Sequence, residues 1–253
     1  MSTGSHGRMR PCGTTARGRG LLVLLLLAAV LVVPTALAGS DSDFAHLVAV
    51  ETEKFNQEIS SKAAEMRTKG EWPKTGPLTA SSPSCAAQAP MQPFLRWSDT
   101  ADYTLVPGGT FESGAPGWTL ENNARVVTTA TRDLGGGTRA LSIPKGSKVI
   151  TRSVCITEFH PTIRFFAQAK GTATRMLVEV LYEDLGGSVN AMPIAYLKPS
   201  STWQPTVVVP IHVNLRAAVA LSKNASVAFR LTAEDGEGTW LVDGFYVDPF
   251  KQR

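Results

Sequence analysis

From about Pro93 onward, apolar and polar side chains alternate with the period of two that sends successive residues to opposite faces of a strand. In Thr162 to Lys170, Ile163, Phe165, Ala167 and Ala169 alternate with Thr162, Arg164, Gln168 and Lys170, which predicts a strand with one buried face. Arg175 to Glu183 sets Met176, Val178, Val180 and Tyr182 against Arg175, Glu179 and Glu183. Asn224 to Ala233 sets Ala225, Val227, Phe229 and Leu231 against Ser226, Arg230 and Thr232. Further strands are read over Ala124 to Thr131, Arg139 to Ile143, Ser147 to Val154, Ser188 to Leu197, Thr206 to Ile211 and Thr239 to Val247. Turn residues such as Gly186-Gly187, Pro199-Ser200-Ser201 and Asp235-Gly236 bound them. Short strands at regular spacing, with no internal repeat, predict an all-β fold, an antiparallel β-sandwich of jelly-roll type over 85–253. Val213 to Leu221, rich in alanine and leucine, is read as a connection between strands.

The pattern changes before residue 85. Over 42–69 the apolar positions Phe44, Val48, Phe55, Ile59, Ala63 and Met66 recur at near-helical spacing, with Asp41 or Ser42 to cap the start and Gly70 to close the end. This amphipathic helix has three candidate uses: docking on the domain, pairing with another protein chain, or lying on a membrane. Its mixed polar face argues least for the last. Glu71 to Pro90 carries Pro73, Pro77, Pro83 and Pro90 among small residues and reads as an extended linker that becomes ordered near Cys85. Together these make a helix-and-linker region over 39–84.

Residues 1–38 form a leader. Arg8, Arg10, Arg17 and Arg19 precede the apolar run Leu21 to Val33, Pro34 breaks it, and Ala36-Leu37-Ala38 offers the small residues of a cleavage site. The run is about 13 residues, short of the roughly 20 that span a hydrocarbon core. A cleaved signal peptide is the first reading and an uncleaved anchor the second, so the chain is expected outside the cytosol and meets a membrane only through this segment.

The leader also accounts for the net charge. The whole chain has 25 Lys and Arg against 21 Asp and Glu, and removing the four leader arginines leaves 25 − 4 = 21 basic residues, a formally neutral remainder. Without a Lys/Arg cluster to displace phosphate counterions, no nucleic-acid partner is expected. Of the three cysteines, Cys12 belongs to the leader; Cys85 and Cys155 either pair, as two cysteines in an oxidising compartment most simply do, or remain two buried thiols.

Gly109-Thr110-Phe111-Glu112-Ser113-Gly114, followed by Gly117-Trp118, resembles the opening of the galactose-binding-like jelly rolls, carbohydrate-binding modules among them. Trp203 and the run Trp240-Leu241-Val242-Asp243-Gly244-Phe245-Tyr246-Val247 extend the resemblance to the last strand, over about residues 102 to 250. It implies a structural calcium between Glu112 and Asp243, with Gly244 standing where a second acidic residue is common. Cys85, Gln92-Pro93-Phe94, Pro107-Gly108-Gly109, Arg164-Phe165-Phe166-Ala167 and Asp248-Pro249-Phe250 also resemble a group of small exported bacterial proteins. That likeness implies export and a Cys85–Cys155 bridge.

Sugar binding in such modules uses aromatic rings and hydroxyl-gripping polar groups, for which Trp97, Trp203, Tyr182 and Tyr196 are the candidates; Trp118 and Trp240 are read as core. No catalytic arrangement is read. There is no GxSxG, His46, His160 and His212 are scattered, and Glu179 and Glu183 are read as solvated surface. The expected function is a non-enzymatic exported binding module for a glycan or cell-envelope polymer. The alternative is a structural protein of the cell surface that meets a protein partner through helix 42–69, and a hydrolase, whose two carboxylates can lie far apart along the chain, ranks third.

Overall fold

The computed structural model describes residues 50, 53–54, 57, 61, 64–65, 68–69, 76–81, 89–131, 137–157, 162–173, 175–211, 224–234 and 236–248. The chain divides into two compact units, Met1–Ala36 and Leu37–Arg253, and every described residue belongs to the second. The leader, Cys85, the histidines and Val213 to Leu221 lie outside the described residues. Among those described, no helix is long and apolar enough to cross a membrane.

The alternating segments become strands: β1 (Thr104–Leu105), β2 (Thr119–Glu121), β3 (Arg125–Thr131), β4 (Gly137–Pro144), β5 (Lys148–Ile150), β6 (Val154–Thr157), β7 (Thr162–Lys170), β8 (Met176–Glu183), β9 (Val189–Leu197), β10 (Gln204–Pro205), β11 (Val209–Pro210), β12 (Asn224–Ala233) and β13 (Thr239–Val247). All the pairings are antiparallel. One sheet runs β10-β7-β13-β4-β3, with β1 also on β13 and β11 also on β7; the other runs β2-β5-β12-β8-β9, with β6 also on β12. The fold is therefore a two-sheet antiparallel sandwich.

The inner faces meet in one core. Ile163, Phe165 and Ala167 of β7 face Val178 and Val180 of β8, Val227, Phe229 and Leu231 of β12, and Trp240, Val242 and Phe245 of β13. Phe245 is its centre, stacked on Phe165 at 4.9 Å and 10° and tilted against Phe229 at 5.7 Å. Phe111 enters at the edge against Trp118, 4.9 Å away, although its φ of 57° is unfavourable for a residue with a Cβ. The Gly109 to Gly114 motif is thus a run of turns that inserts one ring, and Trp118 anchors it by donating its indole N–H to the Pro107 carbonyl at 2.9 Å.

Several expectations are corrected. The segment read as one strand over Ser147 to Val154 is two, β5 and β6, because Thr151 leaves the ladder: its N–H donates to Phe229 O and its hydroxyl accepts from Phe229 N–H. The strand read over Thr206 to Ile211 contracts to β11, since Pro205 and Pro210 limit pairing. The linker is ordered earlier than expected, with Pro77–Ser81 forming a one-turn helix, α1, packed on β12 and β8. Strand β7 has two buried faces rather than one. Its outward Phe166 joins Phe94, Tyr103 and Tyr246 in a second cluster, because residues 89–103 fold over that sheet as a clip. The clip is fastened by Asp99, which pairs with the Arg164 guanidinium and accepts from the Tyr103 hydroxyl at 2.7 Å. Burial pushes the Asp99 carboxyl up, but hydrogen bonds from Tyr103, the Ala101 N–H and Arg164 outweigh it and hold the group below its ordinary value.

Within 42–69 the described residues Val50, Glu53, Lys54, Gln57, Ser61, Ala64, Glu65, Thr68 and Lys69 are helical and exposed. Glu65 and Lys69 pair at 2.5 Å, one turn apart. The apolar stripe lies outside the described residues.

Candidate functional site

The outward face of the β2-β5-β12-β8-β9 sheet gathers a set of polar side chains that strand alternation sends away from the core. Register places Glu121 opposite Lys148, Lys148 opposite Thr232, Thr232 opposite Leu177 and Leu177 opposite Tyr196, one row crossing five strands. The neighbouring row is Thr119, Ile150, Arg230, Glu179 and Pro193. Four strand spacings make each row about 19 Å long.

Two ion pairs stiffen this floor. Arg230 grips Glu179 with both limbs, Nε to Oε2 at 2.5 Å and Nη2 to Oε1 at 2.7 Å, the geometry of a strong bidentate pair. Those hydrogen bonds raise the Arg230 pKa above its ordinary value, and the charge of Glu121 adds to the effect. Beside Tyr196, Arg175 donates to Glu234 at 2.6 Å while its guanidinium lies 4.5 Å from the tyrosine ring centroid. The face therefore offers an oriented ring, fixed charges and a hydroxyl, equipment for binding a polar chain.

Helix α1 occupies the adjoining part of the same face. The Glu183 carboxylate accepts from the N–H groups of Gly76 at 3.2 Å, Thr79 at 3.0 Å and Leu78, and from the Thr79 hydroxyl at 2.6 Å. At the other end Ser81 Oγ lies 2.7 Å from Ser153 Oγ. Leu181 and Ala228 point away from the core yet are buried, because α1 packs on their strands.

The four aromatic candidates do not come together. Tyr196 lies on this face, Tyr182 is half-buried against the main core, and Trp97 and Trp203 pack against the second cluster on the opposite sheet, Trp97 lying 5.2 Å from Phe166. Trp118 and Trp240 are core residues, 8% and 2% exposed. Glu179 and Glu183 face outward, but against the sequence expectation they are not solvated surface: one is buried in an ion pair and the other holds α1. Sequence reasoning passed over the pairings of Arg230, Arg175 and Glu234 because their partners lie on strands distant in sequence; only the outward phase of Arg230 and Arg175 is readable.

Glu112 and Asp243 are electrostatic neighbours. Burial first, and the charge of Glu112 third, push the Asp243 carboxyl up to about 7, against the opposing hydrogen bond from the Gly244 N–H at 2.7 Å. Glu112 caps the start of β4, accepting from the Thr138 and Arg139 N–H groups at 2.9 Å each and from the Thr138 hydroxyl at 3.1 Å. A calcium ion there would have to compete with those donors, and among the described residues no group of three or more His, Cys, Asp or Glu is placed to hold a metal. Gly244 has its own reason to be glycine: its φ is +55°, and a Cβ would meet the Phe166 ring at 2.9 Å. Cys155 stands in β6 opposite Ser226, and its expected partner Cys85 is not among the described residues.

No family model matches the chain, and no curated protein matches it in sequence. Solved structures similar to it are carbohydrate-binding modules. The CBM22-1 xylan-binding domain of Xyn10C from Paenibacillus barcinonensis is 17% identical, covering 57% of this chain and 94% of that one, with a TM-score of 0.38. The family 11 carbohydrate-binding module from Clostridium thermocellum, in complex with a β-1,3-1,4-mixed-linked tetrasaccharide, is 15% identical, covering 57% and 95%, with a TM-score of 0.36. TmCBM61 in complex with β-1,4-galactotriose is 13% identical, covering 58% and 99%, with a TM-score of 0.36. At this similarity they say nothing of the ligand of this chain.

Proposed function

We propose that this protein is an exported, non-catalytic binding module that takes an extended glycan or cell-envelope polymer across the outward face of the β2-β5-β12-β8-β9 sheet. The observation that carries the reading is the row from Glu121 through Lys148 and Thr232 to Tyr196, which sets hydroxyl-gripping groups and one aromatic ring at strand spacing. A chain of sugar rings presents alternating hydroxyl edges and apolar faces, and such a row matches both.

The test is titration calorimetry of the protein against xylan, β-1,4-galactan and mixed-linkage β-glucan oligosaccharides and isolated envelope polysaccharide. Tyr196→Ala is expected to weaken the binding found about tenfold, equivalent to about 1.4 kcal/mol. Binding to none of these polymers, or binding that ignores both Tyr196→Ala and Lys148→Ala, overturns the proposal. A second reading, a surface that meets another protein, is favoured by Met91 and Leu95 of the clip, 43% and 53% exposed. Light scattering that shows self-association abolished by Leu95→Glu would support it.

A further inference from the structure

We infer that the segment 76–81 is a fixed wall of the binding trough and that it selects linear polymers over ones substituted on the edge facing it. This inference rests on the reading of the sheet face given above. The direction of the segment follows from its fastenings. Gly76 abuts the Gly187 carbonyl in the β8–β9 turn, where a Cβ would come within 2.4 Å, and Ser81 meets Ser153 between β5 and β6, on the far side of β12. The segment therefore crosses β8 and β12 on the same face as the two rows of outward side chains.

It lies over Leu181 and Ala228, which face each other in register. The Arg230–Glu179 pair is two residues further along these strands and the Thr232–Leu177 pair four, so the rows run about 7 and 13 Å from the covered line. A helix laid on a sheet raises a ridge about 10 Å across, tall enough to meet a substituent on a polymer lying in either row. The ridge presents small side chains, Thr79, Ala80 and Ser81, all exposed. The four bonds to Glu183 hold it in place without any buried side chain of its own.

The decisive comparison uses Glu183→Ala, which removes all four bonds, and Gly76→Ala, whose Cβ would come within 2.4 Å of the Gly187 carbonyl and 2.7 Å of the Glu183 carboxyl and so unseats the segment with that carboxylate still present. Hydrogen exchange at the Leu78 and Thr79 amides reports seating, and titration against linear xylo-oligosaccharides and their arabinose-substituted counterparts, with the same pairing for galactan and mixed-linkage glucan, reports selection. Wild type is expected to prefer the linear member at least tenfold; both variants are expected to exchange those amides at least tenfold faster and to bind the two members equally. Faster exchange with an unchanged preference, or amides that stay protected in both variants, overturns the wall. If Tyr196→Ala abolishes binding while Glu183→Ala and Gly76→Ala both leave binding and preference untouched, the face stands and the wall falls. Failure to bind any polymer removes both.

Discussion

Replacing Asp243 by Asn should make the protein more stable above neutral pH and flatten its response to pH. The carboxyl is 6% exposed and its pKa is pushed from 3.8 to about 7. That is a difference of 7 − 3.8 = 3.2, or about 4 kcal/mol of penalty on the ionised form. Between those two values the folded protein keeps a proton that the unfolded chain has released. The contribution of Asp243 to stability is therefore fully present below about 3.8 and is lost as pH rises through about 7. From pH 5 to pH 8 the loss amounts to about 2–3 kcal/mol. Asparagine keeps the shape and the acceptor for the Gly244 N–H but has no charge to desolvate. Asp248, pushed up to about 6 chiefly by burial, titrates in both proteins and cancels in their difference. Urea denaturation followed by tryptophan fluorescence at pH 5, 6, 7 and 8 measures the effect. Wild-type and Asp243→Asn curves that stay parallel within about 0.5 kcal/mol across that range would refute a desolvated carboxyl. The same experiment reads the calcium expectation: calcium that raises wild-type stability at pH 8, but not that of Asp243→Asn, supports an ion shared with Glu112, and an unchanged wild type removes it.

Gly244→Ala should cost about 2–4 kcal/mol, from the left-handed backbone and the overlap with Phe166 and Tyr246 together. The melting temperature should fall by roughly 5–15 °C, and an unchanged one would show that the register shift between Asp243 and Tyr246 in the β13–β7 pairing relaxes freely. A bridge between Cys85 and Cys155 is our proposal for those residues. Ser81, bonded to Ser153, stands four residues before Cys85, and four residues reach about 13 Å at most, enough to meet Cys155. Cys85→Ser should then lose up to about 4 kcal/mol. Thiol titration finding both groups reactive in the native exported protein would defeat the bridge.

How far the letters alone reach depends on the range of the physics involved. Side-chain alternation is local, so Thr162–Lys170, Asn224–Ala233 and Thr239–Val247 were readable to the residue, and the sandwich followed from their number. The burial of Trp118 and Trp240 was readable too, because both stand where the jelly-roll pattern they resemble packs a ring. The short strands β1 and β2 were not, since two or three residues carry no period.

What only the tertiary structure decided is pairing across distance. Alternation sends Glu179, Glu183 and Arg230 outward, but it cannot say that Glu179 meets Arg230 across a strand pair or that Glu183 receives a helix from a hundred residues earlier. Nor can it divide Trp97 and Trp203 from Tyr196, because which sheet a strand joins is settled by packing of the whole core. A polar group on a strand has a known face from its own neighbours in sequence; its partner, and so its charge state and its use, comes from chain segments that only folding brings beside it.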